Sequence, residues 1–325
     1  MRKIGVIGAG SWGTALAVNL ARNNHEVVIW SIMEDEIKML NEHREHVDKL
    51  PGVKLEANIS FTTDMEAAIK GMDMLVLAVP SIFTRSTSKN MAPFVEEGQI
   101  IACVGKGIED NTFMTITDIV EEEIPHADVC VLCGPSHAEE VGQGLPTTVV
   151  AGAHSQKSAE FIQDTFMNET FRVYTSPDML GMELGGSFKN VIALAAGMCD
   201  GLGFGDNTKA ALIVRGISEV ARLAVAMGAK PETVNGLTGV GDLIVTCQSR
   251  HSRNRKAGEL MGQGMTMEQA TKEVKMVVEG VYSAKAALAL GKKYYVQMPI
   301  IEEVNKVLFE DKSAKEAVYD LMLRE

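Results

Sequence analysis

One lysine, Lys189, lies in residues 183–193, where alternating strands and helices give way to helices alone. Gly185 and Gly186 precede Ser187, a residue type that favours the N-cap, and an apolar run with helical spacing follows. This pattern predicts that Lys189 lies in the first turn of a buried helix, where the helix dipole and burial would both lower its pKa. A lysine of this kind can serve as a general acid or base. The alternative is a lysine whose stem covers the core while its amine reaches water.

Residues 250–256 form the densest basic run of the chain. Ser252 is a natural N-cap, so Arg253 and Asn254 are predicted to lie in a first helical turn, with free N–H groups beside a guanidinium. That combination suits a phosphate group. A solvated charged face is the alternative, but arginine at a helix N-terminus opposes the dipole unless an anion compensates.

Two further charged residues follow glycine-rich turns. Lys106, between two glycines, follows a predicted strand at residues 99–104, and ligands bind at the carboxyl edge of such sheets. Asp242 follows a Thr-Gly-Val-Gly turn, and both an N-cap role and a catalytic role fit its position. Lys106 is therefore a site candidate, whereas Asp242 remains open between the two roles.

A glycine fingerprint begins the chain. Residues 3–8 form a short apolar strand, and Gly8, Gly10 and Gly13 follow the G-x-G-x-x-G spacing before a helical run. The first glycine permits a tight turn, the second lets the backbone approach a pyrophosphate, and the third allows close helix packing. A second strand at residues 27–30 completes the unit, which predicts binding of a nicotinamide dinucleotide.

The residue after that second strand normally selects between NAD and NADP through an acid or an arginine. Ile32 and Met33 occupy this place and supply neither. Residues 34–36 are acidic and are predicted to form the first turn of the next helix. The sequence therefore leaves NAD and NADP both open.

Composition excludes several classes of function. The 325 residues are 46% hydrophobic and carry a formal net charge of −12, which disfavours nonspecific binding to nucleic acid or anionic membranes. No run predicts a signal peptide or membrane span, so a cytoplasmic protein is expected. The five cysteines are scattered, which suits reduced thiols. His43 and His46 are expected on a solvated helix face, and no metal site is predicted.

The coarse pattern predicts an α/β fold, an N-terminal Rossmann doubly wound parallel sheet followed by an all-helical C-terminal domain. Further strands are expected at residues 74–79, 99–104, 129–133, 146–151 and 171–175, with a helix at 155–167. The predicted domains are a dinucleotide-binding domain at 1–185 and a helical substrate-binding domain at 186–325.

Taken together, these motifs closely resemble the bacterial-type NAD(P)-dependent glycerol-3-phosphate dehydrogenases. The resemblance also rests on Pro80-Ser81, on Gly134-Pro-Ser136, on residues 184–191 and 239–243, and on Val278-Glu-Gly280, in the family's order over nearly the whole chain. It implies reversible reduction of dihydroxyacetone phosphate to sn-glycerol 3-phosphate for phospholipid synthesis, with NADH or NADPH as cofactor and a small phosphorylated molecule as substrate. It is also compatible with a homodimer.

The resemblance further implies the roles of individual residues. Lys189 would be the acid/base. The substrate would be bound by Lys106, Gly134, Ser136, Asn190, Asp242, Ser252, Arg253 and Asn254. The cofactor would be lined by Gly8, Gly10, Ser11, Trp12, Gly13, Lys106, Ala138, Arg253, Val277 and Glu279. This chain departs from the family at Ile32 and Met33, where a basic residue is frequent, and at Lys49, where an aromatic residue is frequent.

Two alternatives remain at this point. A β-hydroxyacid dehydrogenase or ketopantoate reductase would keep the lysine but should lack the Ser252, Arg253 and Asn254 cluster. A noncatalytic dinucleotide sensor would leave Lys189 and Arg253 without a shared role.

Overall fold

The computed structural model describes residues 1–324, and the chain forms two compact units. The first comprises Met1–Gly105 and Ile116–Met179, and short apolar runs form its strands. The strands are β1 (Lys3–Ile7), β2 (Glu26–Trp30), β3 (Glu45–His46), β4 (Leu50–Lys54), β5 (Ile59–Thr62), β6 (Met74–Leu77), β7 (Ile100–Cys103), β8 (Asp128–Cys133), β9 (Thr147–Ala153) and β10 (Phe171–Ser176).

Eight of these strands form one sheet in the order β10-β9-β8-β7-β6-β1-β2-β5, and β3 pairs with β4 separately. Neighbours from β8 to β5 are parallel, but β9 runs antiparallel to β8, and β10 is parallel to β9. The expectation of a parallel sheet is therefore wrong for the β8–β9 pair. The mostly parallel Rossmann-like sheet is confirmed.

Helices lie along the sheet of the first unit. They are α1 (Ser11–Arg22), α2 (Glu34–His43), α3 (Met65–Ile69), α4 (Thr84–Met91), α5 (Ile116–Glu123), α6 (Ala138–Gln143) and α7 (Gln156–Phe166), with a 3₁₀ turn at Ser81–Phe83. Within β1, Ile4 and Val6 join one buried apolar cluster while Ile7 joins another. Because successive side chains of a strand point to opposite faces, apolar layers cover both faces of the sheet.

The second unit comprises Lys106–Thr115 and the chain from Leu180 onward, and its regular structure is helical. Its helices are α8 (Met179–Gly201), α9 (Asp206–Ala226), α10 (Pro231–Val234), α11 (Asp242–Gln248), α12 (Arg253–Gly262), α13 (Met267–Val274), α14 (Glu279–Lys293), α15 (Pro299–Phe309) and α16 (Ala314–Met322), with a π-helical turn at Leu237–Gly241. Leu184, Phe188 and Ile192 of α8 are fully buried in its core. Across residues 1–324, no helix combines the length and the apolar content that crossing a membrane requires.

Helix α8 continues without interruption through the predicted domain boundary at 185/186. The compact units instead divide after Met179, and the helical unit also includes Lys106–Thr115. Lys106 therefore belongs to the same compact unit as Lys189.

Candidate active site

The glycine fingerprint adopts the conformation that a dinucleotide loop requires. Gly8 has φ +120°, and a Cβ there would lie 2.8 Å from the carbonyl oxygen of Ala78. A Cβ on Gly13 would lie 2.2 Å from the carbonyl oxygen of Gly8, so both positions exclude larger residues. Gly10, the N-cap of α1, has open space where its Cβ would be. The first N–H groups of α1, including those of Ser11 and Trp12, have no intrahelical acceptor and fit an anion such as a pyrophosphate.

The end of β8 carries three more of the predicted site residues. Gly134 has φ +157°, and Ser136 Oγ donates to its carbonyl oxygen at 3.0 Å. Ala138 begins helix α6. A Cβ on Gly134 would lie 2.9 Å from Cα of Val149, so the position directly after β8 requires glycine. The structure thus places Gly134, Ser136 and Ala138 in one turn.

The end of β2 contains a buried polar cluster that the sequence did not indicate. The carboxylate of Glu36 accepts hydrogen bonds from Ser31 Oγ at 2.5 Å and from Lys49, and His46 Nε2 lies 3.0 Å from it. Burial alone would raise the pKa of Glu36, but the hydrogen bonds from His46, Lys49 and Ser31 lower it to about 2. His46 is 1% exposed, so its predicted place on a solvated helix face is wrong.

The remainder of this strand end matches the sequence expectations. Ile32 is 76% exposed and Met33 is 57% exposed, and the acidic residues Glu34–Glu36 do form the first turn of α2. Neither exposed side chain offers a charge-assisted hydrogen bond to a 2′-phosphate.

Lys189 lies in the interior of α8, not in its first turn, because the helix begins at Met179. The N-cap role predicted for Ser187 is therefore wrong, and so is the argument from the positive end of the dipole. Gly185 has a different role from the helix start that was predicted. A Cβ on Gly185 would lie 2.9 Å from the carbonyl oxygen of Thr238, so this glycine lets the π-helical turn approach α8. The predicted burial of Lys189 is correct, since its side chain is 7% exposed.

The Lys189 amine binds a carboxylate and a hydroxyl. It lies 2.5 Å from Oδ1 of Asp242 and 2.6 Å from Oγ1 of Thr246. The Thr246 hydroxyl donates in turn to the carbonyl oxygen of Asp242 at 2.6 Å. Lys106 Nζ lies 2.7 Å from the other carboxylate oxygen, Oδ2. One buried carboxylate therefore holds two lysines.

Asp242 does not cap α11. It is the first residue of that helix, whose N-cap is Gly241, and its side chain is 1% exposed. Burial alone would raise the pKa of Asp242, but the charges of Lys106 and Lys189 and their hydrogen bonds hold it below its ordinary value. The carboxylate thus stays ionised, and with both lysines charged the cluster has a net charge of about +1.

The basic run at residues 250–256 folds as predicted. Ser252 is the N-cap of α12, and its Oγ accepts from the backbone N–H of Arg255 at 3.2 Å. Arg253 and Asn254 lie in the first turn, and Arg253 Nη1 donates to the carbonyl oxygen of Val277 at 3.2 Å. A guanidinium therefore lies at the start of a ten-residue helix.

Asn254 connects this turn to α8 and α14. Its Nδ2 donates to Oδ1 of Asn190 at 3.0 Å, and its Oδ1 accepts from the backbone N–H of Gly280 at 2.8 Å. Asn190 directly follows Lys189, and Glu279 is the first residue of α14. The start of α12 is thus tied to the lysine helix through a buried amide.

Matches to known families decide the identity of the chain. Residues 3–159 match the family model described as NAD-dependent glycerol-3-phosphate dehydrogenase N-terminus, and residues 178–319 match the corresponding C-terminus model. The chain belongs to the NAD-dependent glycerol-3-phosphate dehydrogenase family.

Similar proteins agree with this assignment. A glycerol-3-phosphate dehydrogenase (NAD(P)+) of Agathobacter rectalis is 74% identical over 325 residues, which cover 100% of this chain and 97% of that protein. The crystal structure of glycerol-3-phosphate dehydrogenase from Coxiella burnetii has a TM-score of 0.96 and 34% identity, and covers 99% of both chains. The predictions of the family and of an NAD(P)-dependent dehydrogenase are thereby confirmed.

The ketopantoate reductase alternative shares only the fold. The structure of a PanE/ApbA family ketopantoate reductase from Ralstonia eutropha has a TM-score of 0.64 at 16% identity, covering 97% of this chain and 99% of that one.

No group of acidic, histidine or cysteine side chains that could hold a metal occurs within residues 1–324.

Two residues that contact parts of the candidate site were not predicted from the sequence. Thr246 lies one helical turn after Asp242, and that i, i+4 spacing on a short helix could have indicated it. Asp200, which binds Arg255 and Lys209, lies near the end of α8, and it was not singled out from the sequence. The contact of Thr246 with Lys189 and that of Asp200 with Arg255 join residues 57 and 55 positions apart, so the local sequence does not show these two partners.

Proposed function

We propose that this chain reversibly reduces dihydroxyacetone phosphate to sn-glycerol 3-phosphate with NADH or NADPH, in the cytoplasm, and so supplies glycerophospholipid synthesis. The observation that carries the proposal is the buried cluster of Lys189, Asp242 and Lys106, in the same compact unit as the helix start at Arg253. The cluster supplies a proton donor and the helix start supplies a phosphate site.

Lys189 is the proposed acid and base. A bound nicotinamide cofactor would supply a hydride to the ketone carbon, whose oxygen would then need a proton. The Lys189 amine donates that proton in reduction and accepts it in oxidation. The Asp242 carboxylate and the Thr246 hydroxyl fix the amine in one position, since they lie 2.5 Å and 2.6 Å from its nitrogen. Lys106 adds a second positive charge that favours the alkoxide.

The first turn of α12 is the proposed phosphate site. Its free N–H groups, the Arg253 guanidinium and the capping Ser252 suit a phosphate dianion. Asn254 already has protein partners on both amide atoms, which supports a role in shaping this turn. The substrate contacts expected for Gly134, Ser136 and Asn190 stay predictions.

The residues around Gly10 fit the dinucleotide. Open space at Gly10 and the first turn of α1 suit the pyrophosphate, whereas a side chain at this position would fill that space. We propose that the first compact unit, predicted from the sequence as residues 1–185, is the cofactor domain, and that the second, predicted as residues 186–325, is the substrate domain. Further cofactor contacts are proposed for Ala138, Val277 and Glu279. We also propose a homodimer, which a sedimentation measurement on the full chain would test.

A cofactor-oxidation assay tests the proposal. The loss of NADH absorbance is followed with dihydroxyacetone phosphate, with ketopantoate and without added substrate. Oxidation that depends on dihydroxyacetone phosphate alone is expected. Oxidation with ketopantoate but not dihydroxyacetone phosphate would place the chain with the reductases of the same fold. NADH binding without turnover of either compound would identify a sensor.

A further inference from the structure

Helices α8 and α12 cross with their backbones in contact. A Cβ on Gly197 of α8 would lie 1.9 Å from the carbonyl oxygen of Arg255, and a Cβ on Gly258 of α12 would lie 2.0 Å from that of Leu194. One turn later on each helix, Gly201 and Gly262 make equally close approaches. Because no side chain separates the two backbones, the start of α12 has a defined position relative to the helix that carries Lys189.

An ion-pair junction lies beside this crossing. Asp200, near the end of α8, accepts from Arg255 Nε at 2.7 Å and lies 2.6 Å from its Nη2, which is a two-bond contact to one carboxylate oxygen. The other oxygen, Oδ1, lies 2.5 Å from Nζ of Lys209 in the first turn of α9. The three side chains are 13 to 20% exposed. One carboxylate therefore joins helices α8, α9 and α12.

Arg255 has two separate contacts in this arrangement. Its backbone N–H is the donor that Ser252 Oγ accepts in the N-cap, while its guanidinium reaches Asp200. A cation in the first turn of a helix is unfavourable beside the positive end of the dipole, and a paired carboxylate removes that penalty. Losing Asp200 would thus weaken the same turn that holds Arg253.

We propose that Asp200 and Arg255 are positioning residues, which hold the first turn of α12 in the orientation that binds the substrate phosphate. The inference rests on the phosphate site proposed above and assigns a role to Asp200, near the end of α8. Asp200 does not itself belong to the proposed phosphate site, but it binds Arg255 in the first turn of α12. Its substitution should therefore change phosphate binding more than hydride transfer or cofactor binding.

The test uses full-length Asp200→Asn, Arg255→Met and the double variant. Each should raise KM for dihydroxyacetone phosphate about tenfold, since small displacements of a binding group have effects of this size. The kcat and the KM for NADH should stay within about twofold of wild type. Because both residues act through one contact, the double variant should be no worse than the more affected single variant.

Two further variants separate positioning from general stability. Lys312→Met removes a comparable junction, since Lys312 is 19% exposed and pairs with Glu303 and Asp320. It should lower the free energy of unfolding without changing KM for dihydroxyacetone phosphate. Arg255→Lys keeps the positive charge but cannot make both guanidinium contacts to Asp200, so its KM for dihydroxyacetone phosphate should lie between those of wild type and Arg255→Met. This comparison does not depend on whether Asp200→Asn folds.

The outcomes distinguish this inference from the proposed function. If Arg253→Ala raises KM for dihydroxyacetone phosphate and the Arg255 variants do not, the phosphate site stands and the positioning role is wrong. A rise in KM for Lys312→Met equal to that for Arg255→Met also overturns it, because the effect would then be one of stability. If none of these variants changes KM, the phosphate site itself is misplaced and both proposals fail.

Discussion

Lys189 Nζ lies 2.5 Å from Oδ1 of Asp242, although the two residues are 53 positions apart in the chain. Both side chains are buried, and the second carboxylate oxygen binds Lys106. A buried carboxylate between two amines keeps its negative charge and fixes both amines in place. The relationship holds a lysine in the interior of a helix in one orientation, as its proposed role of proton donor requires.

Apart from Lys189 itself, Asp242 is the residue whose replacement should lower activity most. Asp242→Asn leaves the buried Lys189 amine and the partly buried Lys106 amine without a counter-charge, so we expect a loss of about 3 to 5 kcal/mol in unfolding free energy. We also expect kcat to fall by roughly a hundredfold or more. Glu219→Gln is the control, because Glu219 is 2% exposed and accepts from the backbone N–H groups of Ile300 and Ile301. It should destabilise the chain, yet the folded enzyme should keep its kcat.

The guanidinium of Arg253 should recognise the phosphate group. Arg253→Ala should lower kcat/KM for dihydroxyacetone phosphate by about one to two orders of magnitude, since each charge-assisted bond contributes roughly 1.5 to 3 kcal/mol. Unphosphorylated dihydroxyacetone should be a very poor substrate, and the variant should affect it far less. Lys256→Ala, on the same helix but paired with Glu259, is the matched control. Equal losses on both substrates would assign Arg253 to the fold or the cofactor.

The cofactor preference should be weak. Ile32 and Met33 are exposed and apolar, so we expect steady-state assays to show turnover with both NADH and NADPH. Met33→Arg should shift the ratio of kcat/KM toward NADPH by about tenfold or more, because a guanidinium can bind the 2′-phosphate. Met167→Arg, at an exposed position of the same unit, should leave the ratio unchanged. A wild-type preference for NADPH of about a hundredfold, near 2.7 kcal/mol, would show that another basic residue binds that phosphate.

Glu36 should make the stability of the chain depend on acid pH. Its pKa is about 2 in the folded chain against an ordinary value of 4.5, so its contribution is present above about pH 4.5 and is lost as the pH falls toward 2. The upper bound of this contribution is about 3 kcal/mol. Urea unfolding should show that the gap between wild type and Glu36→Gln narrows from about pH 6 to about pH 3. Glu66→Gln, which removes an exposed pair with Lys70, should show little such change, and a constant gap for Glu36→Gln would contradict the account.

Local patterns in the sequence predicted the parts of the site that are themselves local. The glycine loop at Gly8 and the N-cap at Ser252 depend on a few neighbouring residues, and both agree with the structure. The direction of β9 could not be predicted, because an apolar strand pattern is the same in either direction.

The predictions that stayed open or were wrong concern residues whose contacts lie outside their own local segment. Asp242 resembles an N-cap locally, but its lysine partners are 53 and 136 positions away. Gly185 resembles a helix start, whereas it serves a contact with Thr238 inside a longer helix. His46 resembles a surface residue until Glu36 is placed beside it. At each of these positions, tertiary contacts determine the conformation and surroundings of the residue and override the preference of its local sequence.

The central claim is that Lys189 supplies the proton, and the turnover rate of Lys189→Ala tests it most directly. Single-turnover oxidation of NADH by dihydroxyacetone phosphate is measured beside NADH binding, which reports whether the first unit remains intact. The account predicts a rate lower by about two to four orders of magnitude with NADH affinity nearly unchanged. A variant that kept more than about a tenth of the wild-type rate, a barrier change under 1.4 kcal/mol, would show that another group protonates the alkoxide.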